Sequence, residues 1–303
     1  MKYRRKLLNF ATRHIGRHQL LRTTDPNKGR RSFAKLSHYM FRAPPYALYL
    51  PEQIKVNDQK QTLLWISAGQ VSRRRVIFYI HGGGFIVGSP FTHKKMLASL
   101  SRLTGIRVCA PKYRRAPEHK FPDALNDIKA AYQGLLNKGY EPDDIIIGGD
   151  SAGGNLAFGL LASLCNAGTP PRAVFAFSPW TDLTLSGKSL QENAKRDLLL
   201  PVERIEELRG MYLGDADPSD VDASPLFARF PDCPPVFMQV GNTEILRDDA
   251  VRMAEHLKFF GSDAHCEIWS DLPHVWQIFD GWLPEARQAM QKTANFIAAS
   301  FTP

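Results

Sequence analysis

The chain has 303 residues, of which 44% are hydrophobic and 23% charged. This composition is typical of a globular protein and excludes a disordered, collagen-like or coiled-coil chain. No run of about 18 apolar residues occurs, so we expect no membrane-spanning helix. The four cysteines lack CxxC spacing, which argues against a zinc site and a disulfide framework: Cys109, Cys165, Cys233 and Cys266. We therefore expect a reduced, cytoplasmic setting.

The net charge of +9 is confined to the N-terminus. Residues 1–31 hold ten Lys and Arg and one acidic residue, Asp25, whereas residues 32–303 hold equal numbers of basic and acidic residues. A neutral body argues against a nucleic-acid partner. Apolar residues at near-helical spacing predict an amphipathic helix over roughly the first 22 residues. That helix could pack on the protein with its basic face exposed, make peripheral contact with a membrane through residues 1–31, or act as a targeting peptide.

From Tyr46 onward, predicted strands alternate with predicted helices. Apolar, β-rich runs predict strands at 76–80, 107–110, 145–148, 174–177, 236–240 and 266–269. Helices are expected at 92–104, 122–137, 153–166, 247–260 and 285–300. Residues 46–56 and 62–68 are expected to form an antiparallel start of the sheet. The alternation predicts an α/β fold with a mostly parallel central sheet and helices on both faces.

The stretch 183–225 interrupts this alternation. It is polar and helical in character, contains no convincing strand, and ends in an Asp-, Pro- and Ser-rich run. We interpret it as an insertion over one end of the sheet.

The strongest chemical signal is the G-x-S-x-G motif at 149–153. It follows an apolar strand and precedes a helix, the setting that this motif needs to present a nucleophilic serine. The small residues around Ser151 permit the sharp turn, although small residues after a strand also make ordinary tight turns. Ser151 is therefore the candidate nucleophile.

A second signal, His81-Gly82-Gly83-Gly84-Phe85, directly follows a predicted strand. Acyl transfer develops negative charge on the former carbonyl oxygen, and backbone N–H groups beside glycines can approach and stabilise it. We expect Gly82, Gly83 and Ala152 to supply these donors. A phosphate-binding loop is the alternative, but the GxGxxG spacing and a P-loop lysine are absent.

A serine hydroxyl needs a base, and the base needs an acid. His274 lies just after the last predicted strand, where a loop can bring its imidazole to the nucleophile. Glu244 follows the strand 236–240 and gives the chain order serine, acid, histidine. Asp248 and Asp249 are the alternatives for the acid, although both open the next helix, where they can cap it.

With these motifs, the chain resembles the hormone-sensitive lipase-like branch of the α/β-hydrolases, which includes bacterial carboxylesterases. The matching elements lie in order over roughly residues 70–280: HGGGF at 81–85, YRRAPE at 113–118 against the family's Y-R-L-A-P-E, GDSAGGNLA at 149–157, PWTD at 179–182, SPL at 224–226, EILRDDA at 244–250 and LPH at 272–274. The resemblance implies Ser151 as nucleophile and His274 as base. Many members carry Asp-Pro-Leu where this chain has Glu244-Ile245-Leu246, and glutamate occurs as the acid in part of the family.

The resemblance also implies a domain plan and a function. A helical cap would be built from residues 1–45 and the insertion 183–225, and residues 46–303 would form the catalytic domain. We expect a serine carboxylesterase acting on small-molecule esters of short to medium acyl chains, without a cofactor or metal. The substrate-pocket candidates are Phe10, Phe33, Met40, Phe41 and Phe85, although the first four could simply pack the cap.

Other functions and assembly states stay open at the level of sequence. An amidase, formamidase or lactonase would use the same triad. A non-catalytic small-molecule receptor is also known in the family, but such receptors have lost the histidine that His274 represents here. Some relatives dimerise through the last sheet edge, so a homodimer is a further expectation that the sequence does not decide.

Overall fold

The computed structural model describes residues 2–56 and 59–302. Eight strands form one sheet in the order β1-β2-β4-β3-β5-β6-β7-β8. Strands β3 to β8 are mutually parallel, whereas β2 is antiparallel to both β1 and β4. The strands are β1 Leu48–Val56, β2 Gln59–Ser67, β3 Ser72–Ile80, β4 Ile106–Lys112, β5 Ile145–Asp150, β6 Ala173–Phe177, β7 Val236–Gly241 and β8 Ala264–Trp269.

The described helices fall into an N-terminal group, a group that covers the sheet, and two within the insertion. They are α1 Lys2–Ala11, α2 Arg17–Arg22, α3 Pro26–Met40, α4 Pro90–Thr104, α5 Asp123–Asn137, α6 Ala152–Asn166, α7 Ser189–Glu192, α8 Ile205–Leu213, α9 Arg247–Phe259 and α10 Pro284–Ser300. A π-helical turn at Thr12–Gly16 joins α1 to α2. None of these helices is long and apolar enough to span a bilayer.

The core has two sides because side chains of a strand alternate between the faces of the sheet. On one face, Phe78 and Ile147 pack with buried residues of α5, α6 and α9. On the other face, Tyr79 and Ile146 pack with α4 and α10. Strand β5 is buried along its whole length, which accounts for its continuous apolar sequence.

The N-terminal helices pack on the rest of the chain. Leu8 of α1 is buried with Leu272, Trp276 and Leu283. The Arg17 guanidinium donates to the Leu200 carbonyl at 2.9 Å. The first helices therefore contact both the loop after β8 and the insertion. Arg4 stays exposed and Arg5 half-exposed on the outer side of α1.

The predicted α/β fold is confirmed, including the antiparallel first strands and the five helices around the sheet. The insertion 183–225 indeed lacks a strand in the structure and contains α7 and α8. The sequence analysis did not anticipate α3, whose start is nevertheless marked in the sequence by Asp25 before Pro26. The Asp25 carboxylate accepts a hydrogen bond from the Asn27 N–H at 2.8 Å, and proline suits the first helical turn.

Candidate active site

The predicted site residues lie at the carboxyl ends of neighbouring parallel strands. The glycine loop follows β3, Ser151 follows β5, Glu244 follows β7 and His274 follows β8. Since β3, β5, β6, β7 and β8 are consecutive in the sheet, these loops share one edge, where α/β sheets bind their ligands.

Ser151 has the strained backbone that the motif requires. Its φ is +52° and its ψ −124°, a region that non-glycine residues rarely adopt and that structures retain mainly at functional positions. The Ser151 N–H donates to the Phe177 carbonyl at 2.9 Å, which ties the turn to β6. Small neighbours are needed because a Cβ on Gly149 would lie 2.4 Å from the Gly153 carbonyl oxygen. Ser151 also precedes α6, whose positive N-terminal end faces the turn.

His274 and Glu244 form a buried pair. The His274 Nδ1–H donates to Glu244 Oε2 at 2.6 Å, and the two side chains are 7% and 1% exposed. Burial alone lowers the pKa of His274, but the Glu244 charge and hydrogen bond outweigh it, so the pKa lies above its ordinary 6.5. The carboxylate thus fixes the imidazole tautomer that leaves Nε2 free to accept a proton.

Glu244 is itself held in place by two donors. Its Oε1 accepts hydrogen bonds from the Gly241 N–H at 2.6 Å and from the Ser178 hydroxyl at 2.8 Å. Ser178 directly follows β6 and was not identified in the sequence analysis. The only sequence feature that could have indicated Ser178 is its position directly before the family motif at Pro179-Trp180.

The alternative acids contact other groups. Asp248 Oδ2 accepts from the Ser189 N–H at 2.9 Å, and Asp249 Oδ2 accepts from Thr181 N–H at 2.8 Å. Burial and the neighbouring Asp182 carboxylate raise the pKa of Asp249 to about 8. Both aspartates therefore connect α9 to the insertion and to the loop after β6, whereas Glu244 bonds to the imidazole.

The hydrogen bonding of Gly82 argues against its expected role as an oxyanion donor. The Gly82 N–H donates to Asp150 Oδ1 at 3.0 Å, so it is already committed to a buried carboxylate. Gly83 has φ +120°, and a Cβ there would lie 2.3 Å from the Val87 carbonyl oxygen. Among the hydrogen bonds of residues 2–56 and 59–302, none uses the N–H of Gly83, Gly84 or Ala152. The N–H groups of these three residues are therefore free to donate, and nothing in the sequence singles out Gly84 because all three glycines look equivalent there.

A second buried network supports the glycine loop. Asp150 accepts from the Tyr79 hydroxyl at 2.8 Å and lies 3.3 Å from His93 Nε2. Burial raises the pKa of Asp150, but its partners, His93 first, outweigh burial and hold the pKa below its ordinary value. His81 lies next to this network, and burial together with the His93 charge lowers its pKa to about 3, so its imidazole is neutral. His81 orders the loop, with Nδ1–H donating to the Gly82 carbonyl at 2.9 Å.

The pocket candidates do not come together. Phe41 is buried in the core against Phe279, with ring centroids 5.6 Å apart. Phe33 packs at the same core face. Phe10 and Met40 are 60% and 48% exposed. Phe85 alone lies beside the glycine loop, and its ring stacks on Tyr212 of α8 at 3.7 Å between centroids.

Two cavities among the described residues lie away from the candidate active site. These cavities, of about 620 and 640 Å³, include none of Ser151, Glu244 or His274 in their lining. In the described ranges, no three side chains of His, Cys, Asp or Glu are grouped closely enough to hold a metal ion.

Comparison with known proteins identifies the family. Residues 77–278 match a family model of the α/β-hydrolase fold. An esterase from Acinetobacter venetianus is 39% identical over 229 residues, covering 75% of this chain and 76% of that protein. An acetyl-hydrolase from Streptomyces hygroscopicus is 37% identical over 224 residues, covering 74% and 75%.

Solved structures extend the similarity to nearly the whole chain. An esterase from the bacterial hormone-sensitive lipase family superposes with a TM-score of 0.90 at 35% identity, covering 99% of this chain and 98% of that one. The structure of EstE5 soaked with p-nitrophenyl butyrate gives 0.86 at 32% identity, covering 98% and 96%. The chain therefore belongs to the bacterial hormone-sensitive lipase-like carboxylesterases of the α/β-hydrolase fold.

Proposed function

We propose that this carboxylesterase hydrolyses short to medium acyl esters through a Ser151–His274–Glu244 triad. The observation that carries the proposal is the buried 2.6 Å hydrogen bond between His274 and Glu244, on loops that share an edge with the strained Ser151 turn. A base held by a carboxylate and a serine on a sharp turn are the two parts that acyl transfer needs.

The reaction proceeds in two halves. His274 Nε2 takes the proton of Ser151 Oγ as this oxygen attacks the acyl carbon, and Glu244 stabilises the imidazolium. His274 then gives the proton to the departing alkoxide, which leaves an acyl-enzyme. Water, activated by the same imidazole, attacks the acyl carbon and releases the acid and free Ser151.

The negative charge of each tetrahedral intermediate needs donors that are free in the resting enzyme. We assign this role to the N–H groups of Gly83, Gly84 and Ala152. Asp150 holds Gly82 in place beside them through the 3.0 Å bond to its N–H. Such preorganised donors stabilise the transition state because they need no reorientation during the reaction.

The residues around the glycine loop and the names of the relatives both support a preference for substrates with short acyl chains. Phe85, Trp180 and Tyr212 are all buried, and the Phe85 ring contacts the other two. Such bulky rings leave little room for a long chain. One relative is named an acetyl-hydrolase, and EstE5 was soaked with a butyrate ester. Residues 1–45 and 183–225 would form the cap over this region.

The N-terminal segment carries a separate proposal. Exposed apolar residues of this segment alternate with basic ones, and the exposed fractions of Tyr3, Leu7, Phe10 and Ile15 are 87%, 61%, 60% and 64%. Of the basic residues there, Arg17 and Arg30 pair with carboxylates. An amphipathic helix with this charge fits the surface of an anionic membrane.

Hydrolysis of p-nitrophenyl esters from acetyl to palmitoyl tests the proposed specificity. We expect kcat/KM to be highest between two and about six acyl carbons and to vanish in folded Ser151→Ala. An optimum at palmitoyl would contradict the short-acyl proposal. Activity on amides or lactones but not on these esters would favour the other acyl bonds that the same triad can break.

A further inference from the structure

The cavity of about 620 Å³ is lined by an excess of cationic side chains. It lies where β2 begins and β4 ends, next to α3. The lining residues with ionisable side chains include Arg30, Lys60, Lys112, Arg114, Arg115, Glu118, His119 and Asp127. Thr62 pairs with Lys112 across β2 and β4, and Lys60 lies two residues before Thr62, so strand alternation directs both lysines to one face of the sheet.

The two carboxylates of the lining are already neutralised. Arg30 pairs with Glu118 at 2.6 Å, and Arg114 pairs with Asp127 at 2.9 Å. Among the ion pairs of the described residues, none involves Lys60, Lys112 or Arg115. Within the described ranges, these three cations therefore have no carboxylate at ion-pair distance, although the Glu118 charge also acts on Arg115.

Arg115 gives the strongest indication of a ligand among the three cations because its side chain is half-buried. Among the described residues, its side chain makes one hydrogen bond, from Nη1 to the Gly88 carbonyl at 2.6 Å, which leaves most of its five N–H donors unused. Burial and the neighbouring Arg30 charge lower the pKa of Arg115, so the surroundings disfavour its positive charge. Arg115 also stands where the Y-R-L-A-P-E pattern has leucine, so this cation is a departure from that pattern.

We propose that Arg115, Lys112 and Lys60 form a binding site for a multivalent oxyanion, of the phosphate or carboxylate class, in this cavity. The planar guanidinium offers paired N–H donors to such a group, and the two lysines add point charges. The bound anion would relieve the repulsion between Arg115 and Arg30.

The site is connected to the catalytic machinery through the glycine loop. Arg115 donates to the Gly88 carbonyl, and Arg30 Nε donates to the Ile86 carbonyl at 2.9 Å. Both carbonyls belong to the loop that follows β3 and carries Gly83 and Gly84. We therefore expect the anion to stabilise this loop and to raise the melting temperature of the protein.

Isothermal titration calorimetry with inorganic phosphate tests the site, at constant ionic strength set with sodium chloride. We expect one saturable site per chain. Arg115→Leu and Lys112→Ala should each weaken the affinity at least about tenfold, whereas Arg102→Leu, which removes an exposed arginine on α4, should leave it unchanged. Lys112 is exposed, so Lys112→Ala keeps the test valid if Arg115→Leu does not fold. Absence of saturable binding, or equal affinity in all four proteins, would overturn the proposal.

The anion could be free or could be the charged end of an ester, and kinetics with two substrates distinguish these sources. Phosphate that competes with 4-acetoxybenzoate but not with phenyl acetate would identify the site as a substrate subsite. Phosphate that binds without competing with either would identify a site for a free anion. Because calorimetry needs no turnover, binding can be measured in Ser151→Ala, so the anion site and the proposed triad can fail separately.

Discussion

At the scale of single residues, the arrangement of Glu244 argues for a specific role as the acid. Its two carboxylate oxygens serve different partners, one the His274 imidazole and the other Gly241 and Ser178. Glutamine in its place would keep the size of the side chain but would present an amide, which cannot stabilise the imidazolium. The role of this residue can therefore be tested with little disturbance of the fold.

We expect Glu244→Gln to lower kcat by about 10³- to 10⁴-fold, the size of effect that loss of a triad carboxylate produces. Asp248→Asn is the matched control, since Asp248 bonds to Ser189 and Arg247, and it should stay within about threefold of wild type. Steady-state kinetics on p-nitrophenyl acetate measure both. A severe loss in Asp248→Asn with mild loss in Glu244→Gln would reverse the assignment.

The pKa of His274 predicts the acid limb of the pH profile. The base must be neutral to accept the proton, and the pKa of His274 is raised above 6.5 because Glu244 outweighs burial. We expect kcat/KM to fall tenfold per pH unit below a midpoint that lies above pH 6.5. In Glu244→Gln the midpoint of the residual activity should move to lower pH, since the charge that stabilises imidazolium is gone. An unmoved midpoint would mean that another group controls the limb.

At the scale of elements, the close approach of α6 to β3 depends on Gly153. A Cβ on Gly153 would lie 2.2 Å from the Ile80 carbonyl oxygen. The nearest atoms all belong to the backbone of Ile80 and His81, which cannot move away as a flexible side chain could. We expect Gly153→Ala to destabilise the protein by about 1–3 kcal/mol, as overpacking does. Gly210→Ala in α8 is the control, because nothing lies within 4 Å of that position, and alanine should match or raise stability there. Denaturant unfolding compares them, and an equally stable Gly153→Ala would refute the argument.

The insertion is connected to the acid loop through Asp197. This buried carboxylate accepts from the N–H groups of Ile245, Leu199 and Leu200, each at 2.8 Å. It links the insertion to the residue after Glu244. Burial, with the Glu244 charge, raises the pKa of Asp197 to about 6.

This raised pKa predicts how stability changes with pH. Between about pH 4 and pH 6 the native state holds a proton on Asp197 that the unfolded state has lost, so this group's contribution to stability decreases as pH rises through that window. Asp197→Asn removes the titration. The difference in unfolding free energy, wild type minus Asp197→Asn, should therefore fall by roughly 2 kcal/mol from pH 4 to pH 7. Urea unfolding at several pH values measures it, and a flat difference would show that Asp197 does not titrate in this range.

Much of the fold and part of the site were predictable from sequence. The strands were predictable because central parallel strands such as β5 are largely apolar. The places of Ser151 and His274 just after strands were predictable because their motifs depend on local turns. Asp150, Ser178 and Asp197 were not predictable, because their roles come from partners distant in sequence. The hydrogen bond from the Gly82 N–H to Asp150 has the same origin, since only the fold brings these two residues together.

At the scale of the whole molecule, the charge asymmetry predicts membrane affinity. We expect the protein to sediment with phosphatidylglycerol vesicles in low salt and to be released by salt, since electrostatic attraction contributes to such binding. Replacing Tyr3, Leu7 and Phe10 together by serine should weaken binding. Phe259→Ser, at a residue that is 84% exposed on α9, is the control. Equal binding to phosphatidylcholine vesicles, or no effect of the triple replacement, would contradict the proposal.

The most direct test of the central claim is to label the enzyme with a fluorophosphonate and to map the adduct by mass spectrometry. If Ser151 is the nucleophile, we expect one adduct per chain, on Ser151, and loss of ester hydrolysis in proportion to labelling. We also expect much slower labelling of His274→Ala, because the serine then lacks its base. An adduct on another residue, or full hydrolysis by protein labelled at Ser151, would contradict the proposed mechanism.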